Sequence, residues 1–481
     1  MRAHLVIVGG GLAGLTAAAR ATELGLRVVL VEAGTGTHYP CNSRFSGGIL
    51  HAAYQDITLP PDELMARMQN AGICDPVQAR AIADDAGRAF NWVRTQGARI
   101  AHFPHLKRGA WVLSPPRPMV TGLGDGEAWL GRGPDLTLRS LRAMAEGRGC
   151  EVLEGTCGEE LLMEGGRCRG LLAQAPQGPL RIEADAVLLA DGGFSGNVEL
   201  FRQHIGPAPE KVVQRGAGTG RGDALRMGVA AGAATSPLDR FYGHLLSRDA
   251  LHNDKLWPYP QIDALASTGV MVDRSGRRFL DEGLGGIHAS NVLATLAEPD
   301  ASTVIIDSAT WLSLGKIGLV APDPLLLRHG GTLHQADDLR SLARLAGIEE
   351  VGLANTIGAY NAALRTSALA SLQPTRSTAK APALPIAQAP FLAIPVCSGI
   401  TNTMGGLLVD AQARVLDQQG ASIPGLYAAG AATGGLEGGP AVHYVGGLLK
   451  ALVFGLRAAE HAAQGSGTRS TNASQKETLS C

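Results

Sequence analysis

Apolar positions along the chain fall into short continuous blocks, and glycine separates most of them. His4–Val8 is a β-branched-rich run, which predicts a strand, and Gly9–Gly14 predicts a tight turn after it. Leu15–Leu24 is Ala-rich and stops before Gly25, the pattern of a helix with a glycine cap. Arg27–Val31 is a second apolar run, ending at Glu32. Two buried runs joined by a helix predict a β-turn-α-β unit with a parallel sheet. Helical spacing recurs over Asp62–Ala71, Pro76–Gln96 and Leu136–Glu146. Glu151–Glu154 and Ala186–Ala190 read as strands, and Gly218–Gly232 as a glycine turn followed by an Ala-rich helix. Near the end, Gly405–Leu416 reads as a hairpin, Gly425–Gly430 as a buried strand and Leu448–Ala463 as a helix.

The texture changes between Tyr242 and Asn402. Trp, Pro and His become denser there and the alternation is irregular, so a second domain is expected as an insertion. After Gln464 small polar residues take over, and residues 465–481 are expected to form a disordered tail.

Length and charge narrow the class. The 481 residues suggest two or three domains. With 18% charged residues and a formal net charge of −1, no broad basic surface is available for nucleic acid or anionic lipid. The seven cysteines, at 41, 74, 150, 157, 168, 397 and 481, include no Cys-x-x-Cys spacing. A disulfide scaffold, a zinc ribbon, a c-type haem and an iron–sulfur cluster are therefore not expected. Leu5–Val8 runs straight into the glycine turn, so the start reads as a strand rather than a signal sequence, and no stretch is apolar enough to span a membrane. The cytoplasm is the expected location.

The sharpest motif is Gly9-Gly10-Gly11-Leu12-Ala13-Gly14 with Glu32 at the end of the next strand. Gly9 permits the turn, Gly11 lets a pyrophosphate approach the backbone, and Gly14 lets helix and strand pack closely. Glu32 is placed to accept hydrogen bonds from a ribose diol. This pattern suits NAD and FAD equally, and the remaining motifs decide between them. They are Cys41-Asn42-Ser43-Arg44-Phe45-Ser46-Gly47-Gly48, Ala190-Asp191-Gly192-Gly193-Phe194, Gly220-Arg221-Gly222-Asp223, Thr403-Met404-Gly405-Gly406-Leu407 and Ile423–Gly430.

Together these resemble the fumarate reductase and succinate dehydrogenase flavoprotein family, from residue 4 to about 463. The likeness is closer to its soluble FAD-dependent branch, which includes tricarballylate dehydrogenase and 3-ketosteroid Δ1-dehydrogenase, than to true fumarate reductases. The resemblance implies an α/β fold: a Rossmann-like FAD-binding domain in two chain segments, 1–243 and 403–464, with an α+β substrate capping domain, 244–402, inserted between them. It implies FAD as cofactor. Gly9, Gly11, Leu12, Ala13, Gly14, Glu32 and Ala33 would hold the ADP half. Asn42, Ser43, Ser46, Gly47 and Gly48 would line the pyrophosphate and isoalloxazine. Cys157, Asp191, Gly192, Asp223 and Gly430 would complete the cradle, and Leu448 and Leu449 would present the N-terminus of the last helix to the flavin. Cys41 lies near the position where membrane-bound relatives link flavin to His, and is read as a small buried thiol.

The substrate side departs from fumarate reductases. Gly285 and Gly286 stand where the family has an arginine, Thr310 and Trp311 where a catalytic arginine is expected, and His443-Tyr444 where a substrate-binding arginine is expected. Asn402 replaces a motif histidine. The expected acid–base group is Tyr444, with His443 or His288 supplying a second proton. His244, Asn402 and Glu282 are expected to bind substrate. Arg277 and Arg278 are read as turn and packing residues.

The resulting expectation is an FAD-dependent oxidoreductase interconverting CH–CH and C=C beside a carboxylate or ketone. The first-choice substrate is a small polycarboxylate or cyclic acid, because the lost arginines disfavour a plain C4 dicarboxylate. The electron partner is expected to be oxygen, a quinone, a soluble carrier or a partner protein. The alternatives are an FAD-dependent oxidase or hydroxylase of an amine or ring substrate, and a flavin-binding scaffold without turnover.

Overall fold

The computed structural model describes residues 1–103, 110–124 and 126–465. The segment 466–481, which holds nearly all of the expected disordered tail, lies outside the described residues.

The β-branched run at the start forms the strand Arg2–Val8, at the centre of an eight-stranded sheet. It pairs in parallel with Val28–Glu32 on one side and with Gly178–Leu189 on the other, in a register that sets Val6 beside Val29 and Val187. Glu151–Glu154 extends the parallel order beyond Val28–Glu32, and Ser422–Ala428 extends it beyond Gly178–Leu189. This explains the unbroken apolar runs: both faces of a parallel sheet are covered, so alternation disappears. The helix begins at Leu12, three residues earlier than the Ala-rich pattern suggests, and runs to Glu23. The carboxyl-terminal helix Gly447–Gly465 packs against it. A Cβ on Gly455 would fall 2.7 Å from the Ala13 carbonyl oxygen, so the glycine sets that close approach.

A second, six-stranded sheet is built around the long strand Phe391–Thr403. The first half of that strand pairs with Ser302–Asp307 and His334–Ala336. Its second half pairs with Phe241–Ser247 and Val212–Gln214. Strands of this sheet thus begin at Val212, and a boundary between 243 and 244 passes through the strand Phe241–Ser247. A three-stranded antiparallel sheet joins Ile49–Leu50, Ala110–Leu113 and Ile100–Phe103.

The expected hairpin at Gly405–Leu416 forms over its second part: Val409 bridges Val415 in antiparallel fashion, flanked by Asp410 N–H donating to Arg414 O and Leu416 N–H donating to Leu408 O. Leu407 bridges Thr235 and Thr433 instead, and Arg414–Leu416 pairs with Ser422–Ala428. The glycines at 405 and 406 stay outside the hairpin, because a Cβ at either would fall on the backbone of Pro237–Leu238 or Ala432–Thr433. That end of the segment serves close packing between distant segments.

Four of the parallel strands end on one edge, each followed by a glycine-bearing turn or an acid: Gly9, Glu32, Ala190–Gly193 and Ala429–Gly430. In open α/β sheets that carboxyl edge is where ligands bind.

Candidate active site

The cradle forms at this edge. Gly9 has φ +100°, and a Cβ there would lie 2.5 Å from Asp191 Cα, so the turn tolerates no side chain. At Gly11 a Cβ would meet only Ser43 Oγ at 3.5 Å, and at Gly192 nothing within 4 Å. Space is therefore left open at Gly11, which caps the helix, and at Gly192, on the turn after Gly178–Leu189. Leu12 N–H donates to Ser43 Oγ at 3.0 Å across that space. Glu32 is held rigidly, its Oε2 accepting from Gly10 N–H at 2.6 Å and its Oε1 from Gly34 N–H at 2.7 Å. Burial raises its pKa against those two hydrogen bonds. Asp191 accepts from Ala224 N–H through Oδ2, while Oδ1 is buried without a partner, and burial raises its carboxyl to about 7.

The open faces of Gly11 and Gly192, the helix N-terminus and the unpartnered Asp191 oxygen fit a dinucleotide with a pyrophosphate and a ribose diol. Leu12, Ala13 and Gly14 lie buried behind the cradle; Ala33 and Cys157 are exposed at its rim. Gly430 sits between Ala13 and Ala451, bringing the last parallel strand to both helices. Leu448 and Leu449 lie in the first turn of the carboxyl-terminal helix, whose leading N–H groups have no intrahelical acceptor. Ser46 Oγ donates to Ser43 O and accepts from Gly48 N–H, shaping the Ser46–Gly48 turn, and Gly47 packs against Met119. Asp223 pairs with Arg226 at 3.4 Å on the rim. Burial pushes the Cys41 thiol up to about 11, which leaves it protonated and unreactive at neutral pH.

Asn42 does more than line the cradle. Its Oδ1 accepts from Ala217 N–H at 2.8 Å and its Nδ2 donates to Thr401 O at 2.9 Å. It thereby ties the short helix after the cradle to the central strand of the second sheet.

Beside it lies a cluster of aromatic and titratable side chains. Tyr242 and His244 are two apart on the strand Phe241–Ser247, so their rings share one face. Gly243 between them turns the other way, where a Cβ would be 1.9 Å from the Gly399 carbonyl oxygen. Tyr242 Oη lies 3.1 Å from His244 Nε2. His244 Nδ1 is 3.2 Å from Asp263 Oδ1, an ion-pair distance without hydrogen-bond alignment. Tyr444 stacks on Tyr242, and its Oη accepts from Gly447 N–H at 2.8 Å. His51 and Tyr54 stack on one another beside them. Burial raises the phenols of Tyr242, Tyr444 and Tyr54 and lowers His244 and His51, so all five rings are neutral near pH 7. Ala53, Tyr54, Tyr259 and Val442, all in or beside this cluster, have positive φ, which marks a strained backbone there.

Two guanidinium groups face the same region. Arg215 donates to Thr401 Oγ1 at 2.7 Å, and Arg117 donates to the Phe45 carbonyl at 2.7 Å and lies over the Trp257 ring. Among the described residues neither has a carboxylate within ion-pair distance, and the Nε of each is buried without a partner.

The structure brings Tyr444, His244 and Asn402 together, since Asn402 lies opposite Tyr242 in the strand register. It places three expected site residues elsewhere. Glu282 is fully buried, with Arg278 at 2.5 Å and Arg376 at 3.7 Å and Met271 N–H donating to it. It holds a turn and has no surface for a substrate. His443 lays its ring against Gly72, whose Cβ position is 2.3 Å from Nε2, and not against the tyrosines. His288 Nδ1 is 3.2 Å from the Pro440 carbonyl and, with Lys380 donating to Ala441 O, fastens the 438–443 turn. His443 points away because neighbours on the turn that carries Tyr444 face different ways, and His288 holds the same turn from the helix Gly286–Ala294.

Tyr242, Tyr54, His51, Asp263, Arg117 and Arg215 are absent from the residues expected on sequence. The i, i+2 spacing of Tyr242 and His244 on a strand is the one signal that points to this face.

The sequence profile of the FAD binding domain family matches residues 4–441. The fumarate reductase (cytochrome) of Shewanella frigidimarina is 28% identical over 96% of this chain and 77% of that protein. The 4-oxocyclohex-2-ene-1-carboxylate 5-dehydrogenase of Sinomonas cyclohexanicum is 30% identical over 65% of this chain and 56% of that protein. Among solved structures, the 3-ketosteroid delta1-dehydrogenase from Sterolibacterium denitrificans in complex with 1,4-androstadiene-3,17-dione shares the fold with a TM-score of 0.71. It covers 96% of this chain and 100% of that chain at 20% identity.

Proposed function

The chain belongs to the FAD binding domain family, alongside its fumarate reductase relatives, and from that membership we propose that it interconverts CH–CH and C=C bonds beside a carboxylate or ketone. It is an FAD-dependent oxidoreductase. Bound FAD supplies the two-electron exchange with a substrate carbon. Gly9, Gly11 and Ser43 would hold the pyrophosphate and Glu32 the ribose. In domain terms, 1–243 and 403–464 are read as the two FAD-binding segments and 244–402 as the cap over them.

The observation that carries the reading is the Tyr242–His244–Asp263 line, with Tyr444 stacked on Tyr242, beside the cradle. A CH–CH oxidation must remove a proton next to the activating group, and the reverse reaction must return it. With the His244 proton on Nδ1 toward Asp263, Nε2 accepts the Tyr242 proton as Tyr242 Oη takes one from the substrate. Tyr444 Oη, already fixed by Gly447 N–H, keeps its own proton to donate to a developing oxyanion. His244 and Asn402 stand on the substrate side. Electrons are read as passing to a quinone, a carrier or a partner protein in the cytoplasm. Among the described residues no helix is long and apolar enough to cross a membrane.

The test is the absorbance of purified protein before and after acid precipitation, followed by reoxidation of the reduced enzyme with cyclic enones and unsaturated acids. Oxidised-flavin absorbance in the supernatant and reoxidation by an activated alkene support the reading. Protein that takes up no FAD, or reacts rapidly with an amine and oxygen but with no activated alkene, overturns it.

A further inference from the structure

Arg117 and Arg215 come from segments far apart in sequence, yet each lies within electrostatic reach of Tyr242, and Arg215 also reaches Asp263 and Tyr259. Each is protein-enclosed but retains some exposure, as groups lining a cavity do. Each satisfies one N–H on a fixed neutral acceptor, Thr401 Oγ1 or Phe45 O, and leaves a buried Nε–H without any acceptor. Two enclosed guanidinium groups without a carboxylate at ion-pair distance among the described residues carry a desolvation penalty that an anion between them would relieve. Guanidinium stays protonated in proteins, so the charge is permanent. The surrounding walls are flat: Trp257 under Arg117, Phe45 stacked on Trp129, and Tyr242 stacked on Tyr444. Flat walls with a cationic end fit a ring that bears one acidic group.

We infer that Arg117 and Arg215 form a carboxylate clamp, and that the substrate is a cyclic carboxylic acid whose ring lies between the aromatic walls. The inference rests on the flavoenzyme reading above and names the substrate class of that site. The arginines lost from the family positions are thus replaced from other elements. The loop before Gly122 gives Arg117, and the end of Val212–Gln214 gives Arg215. The clamp orients the acid and exchanges no bond or electron with it.

The test uses FAD-loaded protein and three ring probes: cyclohexanecarboxylate, its uncharged amide and 2-cyclohexenone. Binding of the first two is read by calorimetry, and reoxidation of reduced enzyme by the enone is read separately. A charge-assisted hydrogen bond to a carboxylate is worth about tenfold or more in affinity. R117Q and R215Q should therefore each weaken the carboxylate about tenfold or more and leave the amide nearly unchanged. R215K, which keeps the charge but not the fork, should recover part of that affinity. Removing an unpaired enclosed charge does not threaten folding, and retained FAD absorbance checks this. Equal binding of acid and amide by the native protein overturns the clamp, as do unchanged variants. Variants that lose FAD instead of carboxylate affinity assign the arginines to the cofactor and also overturn it. If the enone reoxidises the enzyme while the acid fails to bind, the clamp falls and the flavoenzyme reading stands. If the acid binds through the arginines but no alkene is reduced, the reverse holds.

Discussion

The Tyr242 and Tyr444 rings lie nearly parallel, with centroids 3.7 Å apart and 11° between their planes. One stands on a strand of the second sheet and the other on the turn before the carboxyl-terminal helix, so the stack joins that sheet to the helix at the candidate site. The two hydroxyls have different partners, and this separates their roles. Removing the Tyr242 hydroxyl in Y242F breaks the line to His244 and should lower turnover by about 10²–10⁴-fold with the stack intact. Y444F leaves Gly447 N–H without its acceptor and should cost about 1 kcal/mol in stability besides lowering the rate. Steady-state rates and thermal melts of both variants check this; equal behaviour of the two would refute the division of roles.

Asp263 raises the His244 pKa against the larger effect of burial, which lowers it. D263N keeps the shape and removes that support. The acid limb of the pH–rate profile, where His244 becomes protonated and can no longer accept from Tyr242, should therefore move to lower pH. An unmoved or rising limb would show that Asp263 does not act through His244.

Gly9 and Gly11 differ in what a methyl group would meet. G9A places Cβ on Asp191 at φ +100° and should destabilise the protein itself, by about 1–3 kcal/mol for the backbone conformation alone. G11A meets only Ser43 Oγ at 3.5 Å with an ordinary φ, so the protein should fold normally. Its FAD affinity should nevertheless fall about tenfold or more, because the methyl occupies the space a phosphate needs. Melting temperature and flavin content measured side by side check both; full flavin content in G11A would move the pyrophosphate elsewhere.

The cradle is readable in the sequence because its parts are contiguous. Gly9–Gly14 and Glu32 lie in one β-turn-α-β unit, and spacing alone fixes their geometry. Its parallel strands are readable for the same reason, as unbroken apolar runs. The second site is not contiguous: Tyr54, Arg117, Arg215, Tyr242, Asp263 and Tyr444 meet only after the long Phe391–Thr403 strand has gathered its neighbours. A tyrosine or arginine has no spacing rule of its own, so only the Tyr242–Gly243–His244 alternation carries a local trace. Histidines mislead for a complementary reason. His443 adjoins Tyr444 in sequence, but adjacent residues of a turn point different ways, and His288, on the helix Gly286–Ala294, meets that turn only from outside, at the Pro440 carbonyl. Glu282 likewise follows an arginine-rich turn, where burial makes it the counter-ion of Arg278 and not a ligand.

That reassignment of Glu282 has its own consequence. The pair is almost fully enclosed, with side-chain exposures of 4% for Arg278 and none for Glu282. Breaking a buried pair leaves an uncompensated charge, so E282Q should cost about 3–5 kcal/mol in stability. The affinity of the surviving folded fraction for substrate should stay unchanged, since no substrate reaches the carboxyl. Denaturant melts and the KM of the variant check this. A KM raised at normal stability would return Glu282 to the substrate site.

His51 couples the site to pH through stability. Its ring is buried, its Nδ1 accepts from Tyr54 N–H at 3.1 Å, and burial lowers its pKa to about 4 despite the nearby Glu437. The neutral ring is thus what the folded state requires. In the unfolded chain the imidazole titrates near 6.5, so between pH ~6.5 and about 4 the unfolded chain binds the extra proton. The contribution of His51 is fully present above pH ~6.5 and is lost as pH falls toward about 4, on the order of 3 kcal/mol in all. H51Q keeps an acceptor for Tyr54 N–H but has no proton to gain. The difference in unfolding free energy between native protein and H51Q should therefore shrink as pH falls through this window, whatever the carboxylates do in both. Urea melts of the two proteins across the window measure that difference directly. A difference that stays constant with pH would mean that His51 titrates alike in the folded and the unfolded chain, and that the tyrosine cluster accepts its proton without cost.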